Sequence, residues 1–461
     1  MRYGEDPGWS SSFDPGMTAS FHTFGCKLNQ YETEALASEF RNQGFSLVPS
    51  DQPADVYVIN TCTVTSKSEQ KARRLIRKIS REHPASMLVV TGCYAQLNPG
   101  DLQTLGANVQ VISQEQKASL MELPGLLVKQ GASARVSDDL PGHETTADSR
   151  ASERSDPFRY RVERYSYHSR AFLKVQDGCD YRCSYCRVPL ARGRSRSLDP
   201  QMAVERAQEI EQHGYREVVL TGVNLTDYRF GDIELPALLQ MILAGTAKLR
   251  LRLSSLEPER IKPELTEIFD NPRICAHFHL PIQSGSDPVL LRMRRRYRSE
   301  RVVRAVQLLR KAKADPFLAA DIIVGFPGEE EQDFQATVGL IESLGLSKLH
   351  VFPFSPRPGT AAEHPRDPVP ERIRDERVHL LLALSSKLHE SYIERWAGRQ
   401  VEVVLEKDGS AEAGSWRALS DNYLKVLVRG VTPDAGKAGN LVRAVIEQAG
   451  NPCRGRFLGP A

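Results

Sequence analysis

The chain alternates short apolar runs with longer amphipathic stretches, and the alternation changes character twice. Between residues 19 and 125, Ala19–Phe24, Asp55–Asn60 and Met87–Thr91 read as strands, with helical periodicity over Asn29–Gln43 and Ser66–Glu82. Strands alternating with helices predict a parallel α/β sheet. Residues 131–168 lose this periodicity and fill with Ser, Asp, Glu, Arg and Thr, the composition of a polar linker. The rhythm then returns, with strands expected at Phe172–Val175, Glu217–Leu220, Arg250–Ser254, Ala276–Leu280, Phe317–Ile323 and Lys348–Phe352. Helices such as Gln201–Gln212 and Ser299–Lys313 lie between them, so this region predicts a partial (β/α) barrel. A long amphipathic helix over Pro370–Trp396 closes it. Beyond Gly398, short strands at Gln400–Glu406, Ser415–Ala418, Tyr423–Val428 and Asn440–Gln448, with turns at Asp408-Gly409 and Gly430, predict a small all-β unit of the oligonucleotide-binding kind. The expected organisation is therefore an α/β domain at 17–130, a linker at 131–166, a barrel at 167–396 and an all-β domain at 397–460, with Cys453 in a tail.

A length of 461 residues supports two or three domains. The net charge of +3 excludes a globally basic molecule, so nucleic-acid binding would rest on local patches. No apolar run approaches the roughly 18 residues of a membrane helix. The first sixteen residues lack the apolar stretch of a secretory signal and read as an extension, with Met17 an alternative start. Eight cysteines, three clustered and the rest scattered, do not form a secreted disulfide framework and suit a reducing cytosol.

The cysteines carry the chemistry. Cys26, Cys62 and Cys93 each fall just past the carboxyl end of a predicted strand, where ligands gather in parallel sheets, so a metal site is expected there. The alternative is three small residues at tight turns. Cys179, Cys183 and Cys186 form a C-x3-C-x2-C triplet after the first barrel strand. Three thiolates can hold three irons of a [4Fe–4S] cluster and leave the fourth open, whereas an electron-transfer cluster is normally closed by four cysteines. A zinc site usually pairs its ligands as C-x2-C with a second pair downstream. Zinc with a distant ligand, or thiols that bind nothing, are the competing readings.

The triplet resembles the signature of radical S-adenosylmethionine (SAM) enzymes, and the motifs together resemble the methylthiotransferase family over roughly residues 17–460. Phe24-Gly-Cys-Lys-Leu-Asn-Gln-Tyr-Glu-Thr-Glu34, Asn60-Thr-Cys-Thr-Val64 and Thr91-Gly-Cys-Tyr-Ala95 look like its N-terminal motifs. Leu173-Lys-Val-Gln-Asp-Gly-Cys179, Thr221-Gly-Val-Asn224, Ser254-Ser-Leu-Glu-Pro258, His279-Leu-Pro-Ile-Gln-Ser-Gly-Ser286 and Asp321-Ile-Ile-Val-Gly-Phe-Pro-Gly-Glu329 look like its core. Ser113-Gln-Glu-Gln-Lys117 departs from the Gly-Asn-x-Glu-Lys expected there.

The resemblance implies a C-terminal TRAM domain, two [4Fe–4S] clusters, SAM, and insertion of a methylthio group on carbon. C2 of adenine is an unactivated C–H beyond acid–base catalysis, and a radical from SAM answers that need. Residues 25–33 and Val351-Phe-Pro-Phe-Ser-Pro-Arg-Pro-Gly-Thr360 are most similar to the branch acting on N6-threonylcarbamoyladenosine at position 37 of tRNA. Alternatives are isopentenyladenosine in tRNA, a ribosomal-protein aspartate, or a non-catalytic iron–sulfur RNA-binding redox sensor. Implied partners are tRNA, an electron donor of flavodoxin or ferredoxin type and a sulfur donor, in the cytoplasm and without a membrane.

Tyr185, by resemblance, packs beside the adenine of SAM, with a core aromatic as the plain alternative. Gly222 leaves room for the methionyl group, and Ser255, Glu257 and Gln283 are candidate polar contacts, against helix capping or backbone satisfaction. No catalytic residue is assigned beyond the cluster ligands. Arg192, Arg194 and Arg196 alternate after the triplet, and Arg292, Arg294, Arg295, Arg296, Arg298, Arg301 and Arg304 crowd a second run, so both are expected to meet phosphate. His22, His277 and His279 read as structural, and Cys275 and Cys453 as free thiols.

Overall fold

A computed structural model describes residues 16–130, 156–406 and 414–461. Most of the expected linker and the turn at Asp408-Gly409 lie outside the described residues. The N-terminal sheet holds β1 (Thr18–Thr23), β2 (Ser46–Leu47), β3 (Val56–Thr61), β4 (Met87–Gly92) and β5 (Val109–Val111) in the order β2-β1-β3-β4-β5, with every pairing parallel. Every residue of β3 and β4 is buried, as a parallel sheet covered on both faces requires. On one side, α2 (Ser66–Glu82) buries Ala72, Ile76 and Ile79 at helical spacing, and the Thr65 hydroxyl caps it by accepting from the Ser68 N–H. Cys26 is the N-cap of α1 (Lys27–Asn42), while Cys62 and Cys93 directly follow β3 and β4.

The middle region carries the six expected strands within a few residues of their predicted limits: β6 (Ala171–Lys174), β7 (Glu217–Thr221), β8 (Arg250–Leu253), β9 (His277–Gln283), β10 (Phe317–Val324) and β11 (Lys348–Pro353). They form two parallel three-stranded sheets, β8-β7-β6 and β9-β10-β11, joined by bridges at Leu251↔Ile274 and Ser255↔His279. The result is an open barrel in chain order, with α3 (Glu371–Glu394) along β11, where Ser385 Oγ accepts from the Leu349 N–H at 3.0 Å.

The C-terminal unit is a closed five-stranded barrel of β12 (Gln400–Leu405), β13 (Ser415–Ser420), β14 (Lys425–Arg429), β15 (Leu441–Gln448) and β16 (Cys453–Pro460), in the order β12-β13-β14-β16-β15. The fifth strand was not expected. Cys453 therefore sits in the barrel core at 1% exposure and not in a tail. Arg252 on β8 joins the two barrels: its guanidinium donates to Glu217 at 2.7 Å and to the carbonyls of Ser420 and Asp421 at 2.9 Å each. Among the described residues no helix is long and apolar enough to cross a membrane.

Candidate active site

The six motif cysteines fall into two sets of three, all as free thiols. In the N-terminal set, burial pushes Cys62 up to about 12, and the nearby Cys26 and Cys93 raise it further. Burial also raises Cys93, against the pull of the Arg192 guanidinium. In the second set, burial pushes Cys179 and Cys186 up to about 12, with Cys183 adding to both. Such thiols stay protonated at neutral pH unless a bound metal displaces the proton.

The sulfurs already receive donors suited to thiolates. The N–H groups of Val64, Tyr181 and Val188 each point at the sulfur two residues earlier, Cys62, Cys179 and Cys186, at 3.4 Å. Arg295 Nη1 donates to Cys183 Sγ at 3.3 Å. Hydrogen bonds to cluster sulfurs tune iron–sulfur centres. Among the described residues no three His, Cys, Asp or Glu stand close enough to share one metal ion. All-sulfur sets of this kind suit a cluster, where each thiolate takes its own iron, better than a shared zinc. Gly25 is part of the fit: at φ +97° it favours glycine, and a Cβ there would meet Cys62 Sγ at 2.5 Å.

Two buried charge clusters hold the sets in register. Glu32, on α1, pairs with Lys117, with Lys174 at 2.8 Å and with Arg192 at 3.0 Å. Arg192 also pairs with Asp177 at 3.0 Å and donates to Asn29 Oδ1 at 2.7 Å. Asn29, Glu32 and Lys117 belong to the N-terminal sheet domain and Lys174, Asp177 and Arg192 to the barrel, so the cluster is a joint between them. The loose motif ending at Lys117 thus keeps the residue that matters, a fully buried ammonium. The second joint is closer to the sulfurs. Arg187, next to Cys186, donates to Thr63 Oγ1, next to Cys62, at 3.1 Å, and pairs with Glu69 at 3.2 Å. Arg357 reaches the same Glu69 and donates to the Thr63 carbonyl at 3.0 Å. Sequence reading missed both joints.

The SAM candidates scatter over the same rim. Ser255 Oγ lies 2.8 Å from His279 Nδ1, and His279 Nε2 lies 2.9 Å from Asp321. Gln283 is buried at φ +68°, beside the register shift that ends β9, a backbone region non-glycine residues rarely occupy. Burial pushes Glu257 up to about 7 against the pull of Arg295, with which it pairs. Tyr185 packs edge-on to Phe326, within the cluster of Val289, Met293 and Phe354. One side of Gly222 is packed by Gln176, whose Oε1 would lie 2.8 Å from a Cβ; Gln176 accepts from the Asn224 N–H and donates to the Gly178 carbonyl, tying the β7 loop to the triplet loop.

The arginine runs divide. The Arg192 side chain is 2% exposed and locked in the Glu32 joint, and that of Arg295 is 3% exposed between Glu257 and Cys183. Neither is open to phosphate, contrary to expectation, because carboxylates far away in sequence claim them. Arg194, Arg196, Arg294 and Arg296 are exposed, Arg296 stacking over Tyr181 at 4.0 Å.

A cavity of about 520 Å³ runs through the barrel lumen from Cys26, Gly222 and Ser255 down to Tyr423 and Lys425 of the C-terminal barrel. His277 stacks on Tyr423 at 4.1 Å in its floor. His350 is held below its ordinary value by burial and then by His279, Lys348 and Lys27. Burial likewise brings Lys27 down to about 8, with Arg170 and Arg252 contributing.

Residues 173–341 match the radical SAM superfamily, and residues 18–114 match a family described as uncharacterized protein family UPF0004. A radical SAM methyltransferase, TsrM, from Kitasatospora setae shares the fold, with a TM-score of 0.54 at 16% identity over 75% of this chain and 77% of its own. A threonylcarbamoyladenosine tRNA methylthiotransferase MtaB of Treponema pallidum is 39% identical over 93% of this chain and 98% of its own length. One from Bacillus subtilis is 37% identical over 96% of each. A tRNA-2-methylthio-N(6)-dimethylallyladenosine synthase of Nitratidesulfovibrio vulgaris is 33% identical over 95% of this chain and 94% of its own. The open barrel and its sulfur triplet are those of a radical SAM enzyme, which works with a [4Fe–4S] cluster and SAM. Within that class the chain belongs to the methylthiotransferase family.

Proposed function

We propose that the enzyme inserts a methylthio group at C2 of N6-threonylcarbamoyladenosine at position 37 of tRNA, using two [4Fe–4S] clusters. Cys179, Cys183 and Cys186 hold the cluster that engages SAM, and Cys26, Cys62 and Cys93 hold the second. When bound, the first would supply the electron that cleaves SAM to a carbon radical able to take hydrogen from an unactivated C–H, and the second would supply sulfur, with the methyl group coming from a further SAM. The observation that carries the two-site reading is the direct contact between the residues next to Cys186 and Cys62, Arg187 to Thr63 at 3.1 Å. The threonylcarbamoyl substrate is supported by the relatives at 39% and 37% identity that bear its name.

The chain's own residues position these groups. Arg295 donates to Cys183 and pairs with Glu257, fixing one cluster ligand against a candidate SAM contact. The exposed Arg194, Arg196, Arg294 and Arg296 are assigned to tRNA phosphates. An electron donor of flavodoxin or ferredoxin type and a sulfur donor complete the cycle, in the cytoplasm.

Mass spectrometry of tRNA nucleosides from a deletion strain tests the substrate. The reading expects the 2-methylthio derivative of threonylcarbamoyladenosine to vanish while its precursor accumulates. Persistence of that derivative overturns it. Loss of methylthio-dimethylallyladenosine instead favours the second reading, which the relative at 33% identity over 95% of the chain supports.

A further inference from the structure

The cavity in the barrel lumen has an unusual lining. Lys27, Lys348 and Lys425 contribute to it together with four histidines, and neither Asp nor Glu does. Among the described residues, none of the three lysines has a hydrogen bond or ion pair. The nearby carboxylate of Asp321 is bonded to His279 at 2.9 Å and does not line the cavity. Elsewhere in the interior, cations are matched: Lys117, Lys174 and Arg192 share Glu32, and Arg250 and Arg252 share Glu217. Lys27 and Lys348 are half-buried and Lys425 is exposed; half-buried ammoniums lining a cavity that offers them no carboxylate suit an anion that arrives from outside.

The geometry narrows which anion. The cavity includes Cys26 of the N-terminal sulfur set and none of the C-x3-C-x2-C triplet, so although Gly222 and Ser255, expected beside SAM, also line it, its lysine-lined part is assigned to a different anion. A tRNA backbone cannot thread a lumen floored by Tyr423 and Leu424 of the C-terminal barrel, whereas a short arm on an extruded base can. At about 520 Å³ the space falls in the roughly 300–1,000 Å³ range of small-molecule sites. We propose that the lumen receives the carboxylate-bearing N6 arm of the substrate base, with the ammonium groups of Lys348 and Lys27 as its counter-charges and Ser255 and His279 as neighbouring polar contacts.

This inference rests on the threonylcarbamoyladenosine reading and adds the residues that enforce it. A dimethylallyl arm would leave the lysines facing hydrocarbon, and a site with unmatched polar groups rejects the ligand that cannot complete them. The same residues that bind the acid thus exclude the apolar competitor.

The test uses reconstituted full-length holoenzyme under anaerobic conditions with three tRNAs. These carry threonylcarbamoyladenosine, its carboxamide (the threonine carboxylate converted to a neutral amide) or dimethylallyladenosine. The wild-type enzyme is expected to lose roughly 10- to 100-fold in kcat/KM on the carboxamide, the scale of one or two hydrogen bonds to a charged group. Lys348→Met is expected to lose a similar factor on the acid and little on the carboxamide, and Lys348→Arg to recover most of the acid activity. Equal wild-type turnover of acid and carboxamide overturns the inference while leaving the substrate reading intact, and needs no variant to fold. A Lys348→Met loss that is equal on both also overturns it. Turnover of the dimethylallyladenosine tRNA alone overturns the substrate reading and this inference together.

Discussion

Two groups of three cations lie around the rim and lumen of the barrel, and the protein treats them in opposite ways. Lys117, Lys174 and Arg192 converge on Glu32 and Asp177, buried and each paired with at least one of the two carboxylates. Lys27, Lys348 and Lys425 line the lumen with no carboxylate among the lining residues. Both are dense positive charge, yet the first finishes its pairing within the chain and the second does not. A matched set holds parts of a protein in register, and an unmatched set in a cavity waits for a ligand. The distinction also sorts the arginines: Arg192 and Arg295 are claimed by buried carboxylates, while Arg194, Arg294 and Arg296 stay open to solvent.

The sharpest way to break the matched set is Glu32→Gln. It leaves Lys117 without a carboxylate and Lys174 and Arg192 with Asp177 alone, and removing one partner of a buried pair costs about 3–5 kcal/mol. The expected outcome is a large fall in thermal stability and loss of iron from both sets, read by differential scanning calorimetry and iron analysis. Acid should act on the same residue. The surrounding cations, Arg192 foremost, hold the Glu32 carboxyl well below its ordinary 4.5 against the opposing effect of burial. A depressed folded-state value means stability that is present above the unfolded value and lost as pH falls through the folded one. Wild-type unfolding free energy should therefore decline below about pH 4.5, with a shallower decline in Glu32→Gln.

A smaller effect is expected at the second joint. Arg187→Met leaves Glu69 paired with Arg357 but cuts the contact to Thr63, so stability should fall by about 1–3 kcal/mol. Function should suffer more selectively: methylthio product per 5′-deoxyadenosine is expected to drop several-fold, because the two sulfur sets lose register while SAM cleavage continues. An unchanged ratio would contradict the role given to this contact. The mildest changes belong to the surface. Arg294→Gln and Arg296→Gln should each reduce the slope of log affinity against log salt for tRNA by about one, with little change in melting temperature. Arg192→Gln, by contrast, should destabilise the fold, which separates a joint from a phosphate contact.

Much of this was legible in the sequence where the signal is local. Strands β1, β3 and β4 and the six barrel strands come within a few residues of their predicted limits, and Cys62 and Cys93 directly follow β3 and β4, because an apolar run and a βα turn are written in adjacent residues; β2 and β5, two and three residues long, were not expected. The fifth strand of the C-terminal barrel was not. Cys453–Pro460 carries two glycines, a proline and two arginines, and only its pairing with β14 and β15 makes it a strand. The buried ion pairs were illegible for a related reason. Charge density along the chain marks Arg192 and Arg295, yet Glu32 lies 160 residues from the first and Glu257 lies 38 from the second. The packing of Gln176 against Gly222 is likewise a contact that tertiary structure alone creates.

The proposed function divides the labour between two sulfur sets serving one substrate. Incubating wild-type, Cys62→Ala and Cys183→Ala holoenzymes anaerobically with SAM, reductant and tRNA carrying threonylcarbamoyladenosine, and quantifying 5′-deoxyadenosine and methylthio product together, tests that division. Cys183→Ala is predicted to form neither, and Cys62→Ala to form 5′-deoxyadenosine without methylthio product. Equal loss of SAM cleavage in both variants, or methylthio product from Cys62→Ala, would contradict it.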